Sequence, residues 1–83
     1  MTSEQSNIID LVKYLVTSLV DNPEVVAIDS EEDGNNLSLI ITAHQDDVGK
    51  IIGRNGRTIK SIRTLARAAA SNTPIIVEVD VEG

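Results

Sequence analysis

The sequence predicts an α+β single domain with the order helix, strand, strand, helix, loop, helix, strand. Three observations predict it. Apolar residues recur at a helical period near the start, β-branched runs flank a turn and close the chain, and a basic segment with two glycines three apart lies between the second and third strands. At 83 residues there is room for one small hydrophobic core and no second one, so residues 1–83 read as one domain.

Ile8, Leu11, Val12, Leu15, Val16 and Leu19 fall on one stripe of a helix expected over about Ser3 to Val20. Thr2 or Ser3 caps its start, Glu4 suits the positive end of its dipole, and Asp21-Asn22-Pro23 stops it. The lone aromatic, Tyr14, lies at the edge of that stripe and reads as packing. "EVVAID" (24–29) and "NLSLIIT" (36–42) form an expected antiparallel hairpin, joined through "SEEDGNN" (30–36) with its Asp-Gly and Asn pair. Leu37, Leu39 and Ile41 share the face toward the core. The last run, "PIIVEVDVEG", alternates with Ile75, Val77, Val79 and Val81 inward and Ile76, Glu78, Asp80 and Glu82 outward.

Between these strands a short helix is expected from about Gln45 to Ile52, with Asp46 and Asp47 favouring its first turn and Gly53 ending it. A tight loop follows, and then a helix from about Arg57 to Ser71. At ~100° per residue, Ile59, Ile62, Leu65, Ala66 and Ala69 form its core arc, while Lys60, Arg63 and Arg67 gather roughly 140° away.

Charge is partitioned sharply. Val48 to Thr73 holds six basic and no acidic residues, whereas the rest of the chain sets Lys13 against thirteen acids, so a segment of +6 sits beside −12. Binding responds to the local field, so an acidic average does not exclude a polyanion. The chain contains no cysteine, which removes disulfides and thiolate metal sites and suggests a reducing compartment. No apolar run approaches the ~20 residues of a membrane span, and "MTSEQSNIID" does not resemble a signal peptide, so a cytoplasmic protein is expected.

The "GRNG" loop (53–56) supplies a reason for its glycines. Gly53 leaves one helix in a left-handed conformation, Gly56 lets a ligand approach the backbone, and the following helix offers unpaired N–H groups to an anion. Lys50, Arg54 and Arg57 add positive charge. "GRNGRT" lacks the Walker spacing for a nucleoside triphosphate and the third glycine of a dinucleotide fingerprint, which favours a polymer backbone. His44, Asp46 and Asp47 are too few for a metal site and read as capping groups, so no metal and no cofactor are expected. Without a cysteine, or a serine partner for the one histidine, the chain is not expected to be an enzyme.

"GKIIGRNGRTIKSIR", with Val48, Ile51, Ile52, Ile59 and Ile62 spaced around the loop, resembles the signature of the K-homology (KH) domain, whose GxxG loop clamps about four nucleotides of single-stranded RNA or DNA. The order of elements is similar to the type II KH fold. That resemblance implies a three-stranded sheet with three helices packed on one face. The whole chain looks like the small bacterial single-KH proteins of the KhpA family, which implies a cytoplasmic RNA-binding protein, an RNA chaperone or post-transcriptional regulator. Such a protein would act as a homodimer or as a heterodimer with a second KH protein, KhpB. On this resemblance the RNA-binding residues are Lys50, Ile51, Ile52, Gly53, Arg54, Asn55, Gly56, Arg57 and Lys60. The groove is expected between the loop, the two central helices and the second strand, with Ile40, Ile51 or Ile52 beneath the bases. Two other readings stay open: a protein-interaction module docking through the first helix or through the outer face of the last strand at Ile76, and a mononucleotide sensor using the same loop.

Overall fold

The computed structural model describes residues 2–82. Helix α1 (Ser3–Leu19) opens with a reciprocal cap: Gln5 N donates to Thr2 Oγ1 (3.1 Å) and Thr2 N donates to Gln5 Oε1 (2.8 Å). Its buried line is Gln5, Ile8, Val12 and Val16. Leu11 and Leu15 are only half-buried and Leu19 is exposed, so the apolar stripe is wider than the surface the sheet covers.

Strand β1 (Ala27–Asp33) starts later than "EVVAID" suggests. Pro23 begins a tight turn over Pro23–Val25, in which Val26 N donates to Pro23 O at 3.2 Å, and this uses the first residues of that run. The strand then continues through Ser30–Asp33, because pairing with strand β2 (Asn36–Thr42) runs in register from Ala27↔Thr42 to Asp33↔Asn36. The polar residues therefore belong to the strand, and the connection shrinks to Gly34–Asn35 with Gly34 at φ 60°, the left-handed first position of a two-residue hairpin turn.

Helix α2 (Val48–Ile52) is shorter than expected, and helix α3 (Arg57–Ala69) closely follows its predicted span. Strand β3 (Ile76–Val81) returns parallel to β2, giving the sheet order β1-β2-β3 with β2 in the centre. A parallel return needs a crossover, and the α2–loop–α3 segment is that crossover. The three helices cover one sheet face. Ile8, Val12 and Val16 of α1, Ile51 of α2 and Ile59, Ile62 and Ala66 of α3 join Leu37, Leu39, Ile41, Val77 and Val79 in a single core. In α3 the buried line is Ile59, Ile62, Ala66 and then Ala70; Leu65 (47% exposed) and Ala69 lie outside it. Arg63 bonds β3, and Leu65 stands ~200° round the helix from Arg63, so holding Arg63 against the strand turns Leu65 to the surface.

The other sheet face is open and acidic. Cα register sets Asp29, Ile40 and Asp80 in one row and Glu31, Ser38 and Glu78 in the next. Ile40 thus lies on the face away from the helices, not beside the glycine loop.

Candidate nucleic-acid interface

The loop geometry begins with Gly53. It ends α2 at φ 77°, ψ 171°, its N–H donating to Gly49 O at 2.8 Å. A Cβ there would lie 2.2 Å from Thr58 Oγ1 and 2.9 Å from Thr58 N, so glycine is required by both conformation and space. Asn55 (φ 57°, ψ 26°) and Gly56 (φ 71°, ψ 17°) follow as two successive left-handed residues, and Gly56 N donates to Gly53 O at 3.1 Å. This pair reverses the chain and projects Arg54 and Asn55 outward. At Gly56 a Cβ would meet nothing within 4 Å, so that glycine serves the backbone turn and leaves the approach to the loop open. Helix α3 then starts without a side-chain cap, and its leading N–H groups and positive dipole end face the same side.

Beside the loop runs an open cleft of about 630 Å³, floored by Ile59 and Val79 and edged by Asn55, Gly56, Lys60, Arg63, Thr64 and Arg67 from one side and Glu78 and Asp80 from the other. Its second wall is β3, not β2. As the central strand β2 has no free edge, and Leu37, Leu39 and Ile41 on its helix side are fully buried. Arg63 ties the walls together: Nε donates to Val79 O (2.7 Å) and a terminal nitrogen to Asp80 Oδ1 (2.9 Å).

The structure separates the nine expected site residues into two groups. Gly53, Arg54, Asn55, Gly56, Arg57 and Lys60 lie along the loop and the first turn of α3. Among the described residues Arg54, Arg57, Lys60 and Arg67 form no ion pair. Lys50 is different. It pairs with Asp21 and, at 3.2 Å, with Asp47 Oδ1, and these partners raise its pKa. Ile51 is fully buried (0% exposed) in the core and offers no surface to a base, whereas Ile52 is 39% exposed.

Asp47 is the residue whose role the sequence conceals. It precedes α2 but caps nothing on that helix. Its buried carboxylate accepts from Asp21 N (3.3 Å), Asn22 N (3.0 Å), Asn22 Nδ2 (3.0 Å) and Lys50 Nζ. Burial alone would raise its pKa, but these donors outweigh burial and hold it at about 2. The α1–β1 connection is thereby fastened to the start of α2. His44 accepts from Asp46 N at 3.1 Å, and among the described residues no three His, Cys, Asp or Glu side chains gather as a metal would need.

Comparison with known proteins places this geometry. The family described as KhpA/KhpB, KH domain, matches residues 9–81. The RNA-binding protein KhpA of Borreliella burgdorferi is 40% identical over 78 residues, covering 94% of this chain and 95% of its own. Those of Halalkalibacterium halodurans and Bacillus subtilis are each 38% identical, covering 86% and 87% of this chain and 93% and 89% of their own. Among solved structures, Era in complex with MgGDPNP and nucleotides of 16S ribosomal RNA superposes with a TM-score of 0.64 at 20% identity, over 89% of this chain and 29% of that one, a likeness of fold. With nearly the whole chain matched and the loop, the two helices around it and the three-stranded sheet in place, the protein belongs to the KhpA/KhpB KH-domain family.

Proposed function

We infer that this protein binds single-stranded RNA in the cleft between α3 and β3, with the strand's phosphates against the Gly53–Gly56 loop. The observation that carries this reading is that an uncapped 13-residue helix and two consecutive left-handed residues meet at a cleft bordered by Lys60 and Arg67, with Arg54 and Arg57 exposed on the adjoining loop and first turn. Phosphate oxygens accept from backbone N–H groups and cations alike, so the loop supplies affinity and register, while β3 and Ile52 border the bases. Lys50 and Ile51 act indirectly by holding α2. The relatives are named RNA-binding proteins, which supports RNA as the ligand.

The family is a nucleic-acid-binding one rather than an enzyme family, and no helix among the described residues is long and apolar enough to cross a membrane. A cytoplasmic RNA chaperone or post-transcriptional regulator fits these features. One short cleft limits affinity to about the micromolar range, and pairing with a second copy or with a KhpB-like protein would raise it through avidity. The exposed Tyr14 and Leu19 of α1 and Leu65 of α3 supply apolar surface for such pairing.

Fluorescence anisotropy with labelled single-stranded RNA over a salt series tests the reading. The protein should bind in a salt-dependent manner, and an Arg54→Asp, Asn55→Asp double variant with unchanged circular dichroism should not. Equal binding by both proteins would sink the loop as the clamp.

A further inference from the structure

Helix α2 carries the glycine loop on its C-terminal end, yet at five residues, about one and a half turns, it is too short to hold its shape or direction alone. Ile51 is its one buried side chain, and a rod fixed at a single point can still pivot. A second fixed point lies at Asp47, immediately before it. The main-chain carbonyl of Asp47 accepts from Lys50 N (3.0 Å) and Ile51 N (3.3 Å), so the first turn hangs from this residue. The Asp47 side chain is fully buried and reaches the other way, to the connection after α1. Oδ1 accepts from Asp21 N and Lys50 Nζ, and Oδ2 from Asn22 N and Asn22 Nδ2. All four partners are donors, so a carboxylate satisfies them, whereas an amide would set its own NH2 against one pair. At the other end Gly53 leaves no slack, because a Cβ there would overlap Thr58 of α3. Arg54 and Asn55 follow directly, so a tilt of α2 at Asp47 is carried into the loop.

We propose that Asp47 is a positioning residue for RNA binding: by bonding Asp21 and Asn22 it fixes the axis of α2 and so holds the Gly53–Gly56 loop where a phosphate meets it and the start of α3 together. The inference rests on the RNA reading above, and Asp47, being fully buried, touches no RNA itself. What the anchor supplies is preorganisation: the loop is in place before the strand arrives, so binding does not have to order it. Anchoring and binding are then linked in both directions. If the anchored form takes RNA more tightly, RNA must favour the anchored form by the same factor. The Asp21 and Asn22 amides report this, because both donate to the Asp47 carboxylate and are released when it lets go.

The test pairs anisotropy with labelled single-stranded RNA and backbone amide NMR on the whole chain. Asp47→Asn, folded by circular dichroism, should weaken RNA binding about tenfold and shift the Gly53–Thr58 amides before RNA is added. Its salt slope should stay that of the parent, since no phosphate contact is removed. Asn22→Ala, which takes away one of the four donors, should shift the same amides and weaken binding about twofold. Ile8→Val, a truncation in the core, is the control: it should lower the urea midpoint and leave affinity and loop shifts unchanged. In the parent, saturating RNA should slow hydrogen exchange at Asp21 and Asn22 about tenfold. Parent-like affinity in Asp47→Asn overturns the proposal. So does an affinity loss in Ile8→Val as large as that in Asp47→Asn, which would reduce Asp47 to general stability. Should Asp47→Asn not fold, either unshifted loop amides in Asn22→Ala or unchanged exchange in the parent sinks the idea. The Arg54→Asp, Asn55→Asp variant separates the two claims: RNA binding that survives it removes the loop reading and the positioning role with it, whereas its loss together with an inert Asp47→Asn removes the positioning role alone.

Discussion

The start of α2 and the start of α3 belong to one basic segment, yet they are built in opposite ways. At α2, Lys50 is engaged by Asp21 and Asp47, and the buried Asp47 carboxylate is saturated by donors from the preceding connection. At α3, which begins nine residues after α2, the helix likewise has no side-chain cap, but Arg57 and Lys60 form no ion pair among the described residues. One helix holds its cation against the protein's own carboxylates, and the other leaves its cations to an external anion. The contrast teaches that a cation's sequence neighbourhood does not make it available; its tertiary partners do.

The sharpest way to break this contrast is at Gly53, which joins the two starts. Gly53→Ala adds left-handed strain to a collision with Thr58 and should cost about 3 kcal/mol, while Gly56→Ala, with open space around it, should cost about 1 kcal/mol. Urea denaturation measures both, and equal costs would show that the loop relaxes around Thr58.

A smaller effect follows from protonation at the closed end. Asp47 is held at about 2 against an ordinary 3.8, so its contribution is present above about pH 4 and is lost as pH falls through 4 toward 2. Lys50, with a raised pKa, contributes fully below 10.5 and loses that contribution as pH rises past its folded value. Asp47→Asn should therefore lower the urea midpoint at pH 7 and flatten its decline between pH 4 and 2. A parallel decline in both proteins would place the acid sensitivity elsewhere.

The smallest expected change sharpens the comparison most directly. Arg57→Ala should lower RNA affinity severalfold and reduce the salt slope by about 0.7, the value of one single-strand phosphate contact. Lys50→Ala should lower thermal stability and leave that slope unchanged. A reduced slope in Lys50→Ala would return Lys50 to the phosphate-binding set.

What the sequence reveals and what it conceals divide along the same line. Element order, the β2 span and the Gly53–Gly56 turn were legible because each depends on local period or on a conformation that glycine supplies. The β1 span was not, since Ser30–Asp33 join the sheet only through partners in β2. Adjacent isoleucines differ for the same reason: Ile51 points into the core and Ile52 out of it, a distinction made by how α2 sits on the sheet. Leu65 fits the apolar arc of α3 but is displaced from the core, because Arg63 on the other side of the helix is fixed to Val79 and Asp80. Strand order likewise decides that β3 rather than β2 walls the cleft, because β2 is paired on both edges.

The parallel pairing of β3 also sets an order of assembly. The hairpin β1–β2 closes over two residues and α1 forms from local contacts, so these parts are cheap to nucleate as the chain leaves the ribosome. The carbonyl of Val79 and the carboxylate of Asp80 that complete the cleft follow every other element in the chain. A nascent chain therefore carries its cationic segment into the ribosome's RNA-rich surroundings before the pocket that disciplines it exists, and the acidic residues already translated ahead of that segment, all but Glu78, Asp80 and Glu82, are on hand to restrain it.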